Sequence, residues 1–196
     1  MSNENKGIFS VRSMVFMAIF AALICIAGPV ALTIPGTVIP ITLCTFAIYL
    51  AGAMLGGKRG TISVVVYIML GTVGLPVFSN FMGGFAKLLG PTGGYIVGYV
   101  PLVLLTGIFA EMSSATKKRW LMPVGMVLGT VVMYALGTAW FMVLTGKNLA
   151  AALGMCVLPY LIGDSIKMVL TTAVAVPLRA RLNAIIQSSS HSGLDK

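Results

Sequence analysis

Six apolar stretches, near residues 13–32, 41–56, 60–73, 94–115, 121–145 and 153–182, follow one another along the chain with Pro/Gly-rich or basic segments between them. In lipid no water is present to satisfy backbone N–H and C=O groups, so a chain with runs of this length must pair those groups within each run. The outcome is a set of helices. Only 9% of the 196 residues are charged and mean hydropathy is +1.02, against roughly 25% charged in an average soluble domain. The expectation is an all-α integral membrane protein, a compact bundle of six transmembrane helices. No linker divides the chain, so residues 1–187 form one domain, followed by a polar tail at 188–196. The second and third stretches are short. Fifteen helical residues rise only about 22 Å, less than the hydrocarbon core of roughly 30 Å, so these two must tilt little, pack against protein or border a cavity.

The basic residues orient the bundle. With six spans, ten of the thirteen Lys and Arg residues fall on the side of the termini: Lys6, Arg12, Lys58, Arg59, Lys117, Lys118, Arg119, Arg179, Arg181 and Lys196. Lys87 and Lys147 lie on the other side, so the excess of positive charge predicts that both termini are cytoplasmic. A net charge of +9 would suggest nucleic acid in a soluble protein, but these bases punctuate apolar runs and form no single stripe. The basic N-terminus has the outline of a signal peptide, yet 13–32 is too long for its apolar core and is expected to be the first span. Cys25, Cys44 and Cys156 are odd in number, sit in apolar surroundings and lack metal-ligand spacing, which argues against disulfides and zinc.

Within the sixth stretch, LPYLIGDSIKMV at 158–169 carries an acid and a base three residues apart. Positions i and i+3 share a helix face, so Asp164 and Lys167 point the same way into a medium where an isolated ion costs several kcal/mol. The topology places them about 8 and 12 Å inward from Pro159, in the outer half of the span. Two readings compete: a salt bridge to a neighbouring helix, and a ligand site, favoured because buried ion pairs add little net stability. The outer loops supply a roof. Residues 33–40 are Pro-rich, and the roughly 20 residues from 74 to 93 combine glycines, prolines, Phe78, Phe81, Phe85 and a single amide, Asn80. Long structureless connections are uncommon unless they bind or cover something, so this loop is expected to be a lid. Asn80 either caps a turn or contacts ligand. Tyr95, Trp140 and Tyr160 lie near outer helix ends, where they form an aromatic belt or line the pocket. Glu111, near the inner end of the fourth span, is expected to pair with Lys117 and Lys118.

Other signals narrow the class. Ala18 and Ala22 make a small-xxx-small pattern on the first span, suited to close approach of another helix. Residues 52–59, GAMLGGKR, come near a phosphate loop but place Arg59 where Ser or Thr is needed. The sole histidine, His191, lies in the polar end, and no catalytic or metal constellation is present in the sequence. No cofactor is expected. Binding or transport fits better than catalysis.

The blocks IPGTVIPITL (34–43), LAG (50–52), GLPVF (74–78), GPTGGY (90–95) and DSIK (164–167) occur in an order and spacing that closely resemble the BioY family, the biotin-binding S-components of energy-coupling factor (ECF) transporters. The resemblance implies a substrate-capture subunit in a prokaryotic cell membrane. It would take up biotin from outside and work with a transmembrane coupling subunit and two ABC-type ATPases. The family's sixth-helix aspartate and lysine fall on Asp164 and Lys167, and its coupling surface on Ala18 and Ala22. One departure is Cys44, where many relatives are expected to have glutamine. Biotin offers ureido N–H donors, an apolar bicycle and a carboxylate. Asp164 suits the N–H donors, Lys167 a ligand oxygen or Asp164 itself, and Asn80 a polar end under the lid. Phe78, Phe81, Tyr95 and Trp140 would supply apolar contact. The alternative is a self-contained, proton-coupled secondary carrier using Asp164 and Lys167 as its relay, against which stand the lack of an obvious inverted repeat and so sparse an ion-coupling apparatus.

Overall fold

Gly28-Pro29 ends the first helix, because proline has no N–H to donate and its ring collides with the carbonyl four residues back. In a computed structural model, which describes residues 11–32 and 40–191 with side chains to residue 179, that helix is α1, Val11–Ala27. It stops short of the expected 32. The chain then continues into a two-residue strand, β1 (Ala31–Leu32), antiparallel to β2 (Ile41–Thr42) with Ala31 opposite Thr42. Loop residues 33–39, the bases Lys6 and Lys196, the Arg181 side chain and the end of the polar tail lie outside the described residues.

Helices α2 (Cys44–Leu55) and α3 (Gly57–Val73) follow, joined at Gly56. This join has a steric cause. Gly56 has φ +85°, and a Cβ there would lie 1.9 Å from the Glu111 carboxylate, which accepts the Gly57 N–H at 3.1 Å. Glu111 therefore caps the exposed N–H groups at the start of α3 and does not pair with Lys117 and Lys118 as expected, since anions are favoured at helix N-termini. The 74–93 connection is ordered. It holds a 3-10 turn (Ser79–Phe81) and a short helix, α4 (Phe85–Leu89). Then come α5 (Gly93–Thr116) and α6 (Leu121–Thr145). The last apolar stretch is two helices, α7 (Leu149–Cys156) and α8 (Leu158–His191). The break at Val157 leaves Pro159 in the first turn of α8, where its missing N–H costs no helical bond.

Three of these helices are long and apolar enough to cross a membrane: Gly93–Thr116, Leu121–Thr145 and Leu158–Arg179. The 12 residues of α2 and 17 of α3 rise about 18 and 26 Å. α2 is enclosed by its neighbours, with Ile48, Tyr49, Ala51 and Ala53 inaccessible. Close approach of α5 and α6 rests on small residues. A Cβ on Gly94 would come within 2.4 Å of Trp140 Cβ, and one on Gly129 within 2.9 Å of the Leu102 carbonyl. Such contact replaces the hydrophobic drive that lipid cannot supply. Polar pairs tie other helices together: Ser63 Oγ donates to the Met17 carbonyl at 3.0 Å, and Tyr49 and Thr130 hydroxyls are 2.6 Å apart. On α1, Met17, Ala21 and Ile24 face inward, while Ala18 and Ala22 stay exposed beside Val15, Ile19 and Ile26.

Candidate ligand-binding site

Asp164 and Lys167 do share a face of α8, with Lys167 Nζ 3.0 Å from Asp164 Oδ1 and both side chains about nine-tenths buried. The pair is embedded in a network that crosses the bundle. Lys167 also donates to the Thr42 carbonyl at 2.7 Å and to Thr45 Oγ1 at 3.0 Å. Thr45 in turn donates to Asp164 Oδ1 at 3.2 Å, and the Tyr134 hydroxyl donates to Oδ2 at 2.5 Å. Each partner is delivered by a different device. β2 presents the Thr42 carbonyl, the first turn of α2 presents Thr45, and the middle of α6 presents Tyr134.

A count of donors and acceptors sets what the site can do. An ammonium has three N–H donors, and those of Lys167 are all used by protein groups. A carboxylate has about four acceptor positions, of which three are filled by the described residues: two on Oδ1 and one on Oδ2. Asp164 keeps one. The charge balance is neutral, and every buried ion has a hydrogen-bonded partner, as burial demands. A further donor can be accepted without leaving a charge unpaired.

The network forms one wall of a cavity of about 380 Å³, its open mouth included, within the size range of small-molecule sites. Tyr95, Tyr99, Tyr134 and Tyr160 line it with Met133 and Ile41. Tyr95 and Tyr99 lie on one face of α5, and the Tyr95 hydroxyl is 3.1 Å from Thr138 Oγ1. The lining is thus apolar ring faces with hydroxyls at fixed points, a form suited to a flat, partly polar ligand. A second cavity of about 350 Å³ shares Pro40, Thr42, Tyr95 and Tyr99 with the first and continues to Cys44, Tyr67 and Phe78. Thr92 also lines it, and its hydroxyl is buried with no partner among the described residues.

Of the residues singled out by sequence, Asp164, Lys167, Tyr95 and Tyr160 meet in the first cavity. Phe78 lies in the second, edge-on to Tyr67 at 5.6 Å between ring centres. Asn80 and Phe81 are exposed, both at positive φ (61° and 56°). Trp140 lines neither cavity; its indole N–H donates to the Gly90 carbonyl at 3.0 Å, holding the GPTGGY turn against α6. Cys44 is buried, its thiol 3.5 Å from the Tyr67 hydroxyl. In the loop, partial burial lowers the Lys87 pKa, and its ammonium meets Met82 Sδ at 3.3 Å. Sequence reasoning missed Thr42, Thr45, Tyr99 and Tyr134. A tyrosine midway along an apolar span was the available signal for Tyr134, since a buried phenol needs a partner.

The BioY family model matches residues 1–184. The chain belongs to the BioY family. A probable biotin transporter BioY from Pyrococcus horikoshii is 35% identical over 172 residues, covering 88% of this chain and 98% of that protein. The biotin transporter BioY of Thermotoga maritima is 34% identical, over 86% of this chain and 96% of its own length. A crystal structure at 2.1 Å of the S-component for biotin from an ECF-type ABC transporter superposes with TM-score 0.80 at 30% identity, covering 92% of this chain and 95% of that one. The BioY fold and this helical arrangement are therefore the same fold.

Proposed function

We propose that this BioY chain captures biotin from the outer side of the cell membrane as the substrate-specificity subunit of an ATP-driven ECF importer. It does so with six membrane-crossing helices and both termini in the cytoplasm. The observation that carries the site assignment is the asymmetry of the ion pair: Asp164 has an acceptor position left, whereas the three donors of Lys167 are engaged. A cavity built in this way takes a ligand's N–H donors rather than its anion. Biotin's ureido ring belongs at Asp164, among the tyrosines, and Lys167 holds the carboxylate and Thr45 in place. The valerate then runs into the second cavity, where the unpartnered Thr92 hydroxyl can donate to its carboxylate below the 74–93 loop. Lys167 is a positioning residue in this reading. The energy for transport comes from the coupling subunit and its two ATPases, which meet the exposed Ala18 and Ala22 face of α1.

The test is binding of biotin and of uncharged biotin amide to purified wild type, Lys167→Ala and Thr92→Val. Lys167→Ala should weaken both ligands by the same factor. Thr92→Val should weaken biotin more than the amide, by roughly ten-fold or more, since a hydrogen bond to a charged group contributes about 1.5–3 kcal/mol. A selective loss of biotin over the amide in Lys167→Ala reverses the orientation. Failure of wild type to bind either ligand at micromolar concentration removes the reading altogether.

A further inference from the structure

At the end of the bundle opposite the ligand cavities, a cleft of about 660 Å³, open mouth included, lies between the α5–α6 turn and α8. Lys117, Arg119 and Arg179 line it together with the hydroxyl residues Ser113 and Ser114, and among the described residues no carboxylate does. We propose that this cleft holds the phosphate headgroup of an anionic phospholipid. Three features point to that ligand. First, the cations converge from separate elements: Arg119 from the turn, Lys117 from the C-terminus of α5 and Arg179 from α8. The nearby Glu111, whose charge acts on Arg179, is itself tied to the Gly57 N–H, and Arg179 is fixed by donation to the Ala53 carbonyl at 2.5 Å.

Second, Lys117 occupies a left-handed position, φ 57°, where helices prefer glycine. A cation is favourable at a helix C-terminus, but that accounts for one base and not for three around a cleft. Third, the surroundings match lipid better than a free anion. Trp120, next to Arg119, is 60% exposed, and exposed tryptophans at helix ends mark headgroup depth. Met122 and Val176 give the cleft an apolar wall, against which the start of the acyl chains would lie. The cleft involves α5, α6 and α8, whereas α1, with its open small-residue face, packs on α2 and α3. The two surfaces can be occupied together.

Native mass spectrometry of the detergent-purified full chain, titrated with phosphatidylglycerol or phosphatidylcholine of the same acyl chains, tests this. Phosphatidylglycerol should be retained preferentially and raise the melting temperature. A basic residue near an anionic headgroup contributes about five-fold in affinity, so the Lys117→Gln/Arg119→Gln variant should bind it roughly 25-fold more weakly. Both side chains are exposed, and biotin affinity should not change. Lys58→Gln/Arg59→Gln, at the α2–α3 turn, should retain the lipid. Equal binding of the two lipids, an equal loss in the Lys58/Arg59 variant, or displacement of the lipid by millimolar inorganic phosphate would overturn the proposal.

Discussion

Lys167→Met removes the only cation that lies against Asp164 among the described residues. Asp164 keeps Thr45 and Tyr134 as donors but becomes a buried charge without a counter-ion, and the Thr42 carbonyl loses its 2.7 Å partner. Breaking a buried pair from one side costs about 3–5 kcal/mol. For a chain of this length a kilocalorie corresponds to roughly 2–4 °C, so the melting temperature should fall by roughly 6–20 °C. The double variant Asp164→Asn/Lys167→Met tells a different story. The amide oxygen accepts from one of the two hydroxyls, Tyr134 or Thr45, and the NH2 donates to the other, which turns to accept; no charge remains to be desolvated, and methionine fills most of the lysine stem. Its stability should return to within about 1–2 kcal/mol of wild type, because replacing both ions by neutral groups of similar volume is often near neutral. Thermal unfolding in detergent, followed by circular dichroism without ligand, reads both. A double variant as unstable as Lys167→Met would show that the lysine acts through packing or its Thr42 bond, and that the ion pair is not the unit of the network.

Gly94→Ala should lower stability by about 1–3 kcal/mol through overpacking, because the new Cβ meets Trp140 Cβ at 2.4 Å and the Leu136 carbonyl at 2.9 Å; an unchanged melting temperature would refute the close α5–α6 approach. Ala18→Trp or Ala22→Trp should block assembly with the coupling subunit in pull-down experiments and leave biotin affinity of the solitary chain intact. Normal assembly would move the partner face elsewhere. In liposomes containing this chain alone, a proton gradient should drive no biotin accumulation; uptake under those conditions would favour the secondary-carrier alternative.

Helical character was legible because apolar runs in lipid have few backbone solutions; the number of helices was not, since the last of the six expected stretches is two helices, α7 and α8. Span boundaries were less legible: the stretch 153–182 was expected as one run, and the structure breaks it at Val157. They failed at residue 32 because Ala31 and Leu32 are apolar whether they continue α1 or pair with Ile41 and Thr42 in a ladder. The i, i+3 face of Asp164 and Lys167 was likewise a local property and was fixed by helix geometry. Which of the two charges keeps capacity for a ligand was not. That depends on Thr42, Thr45 and Tyr134, which stand 122, 119 and 30 residues from Asp164 in sequence, and on no periodicity. The same holds for Trp140, whose aromatic character placed it equally in a belt or a pocket until its N–H was found on Gly90. The sequence alone determined a helical membrane chain with a paired acid and base in one apolar helix. Only the tertiary structure decided how many hydrogen-bonding positions each of them has left, because donors and acceptors are saturated by whatever the fold brings within 3 Å, and that is set by packing between helices rather than by order along the chain.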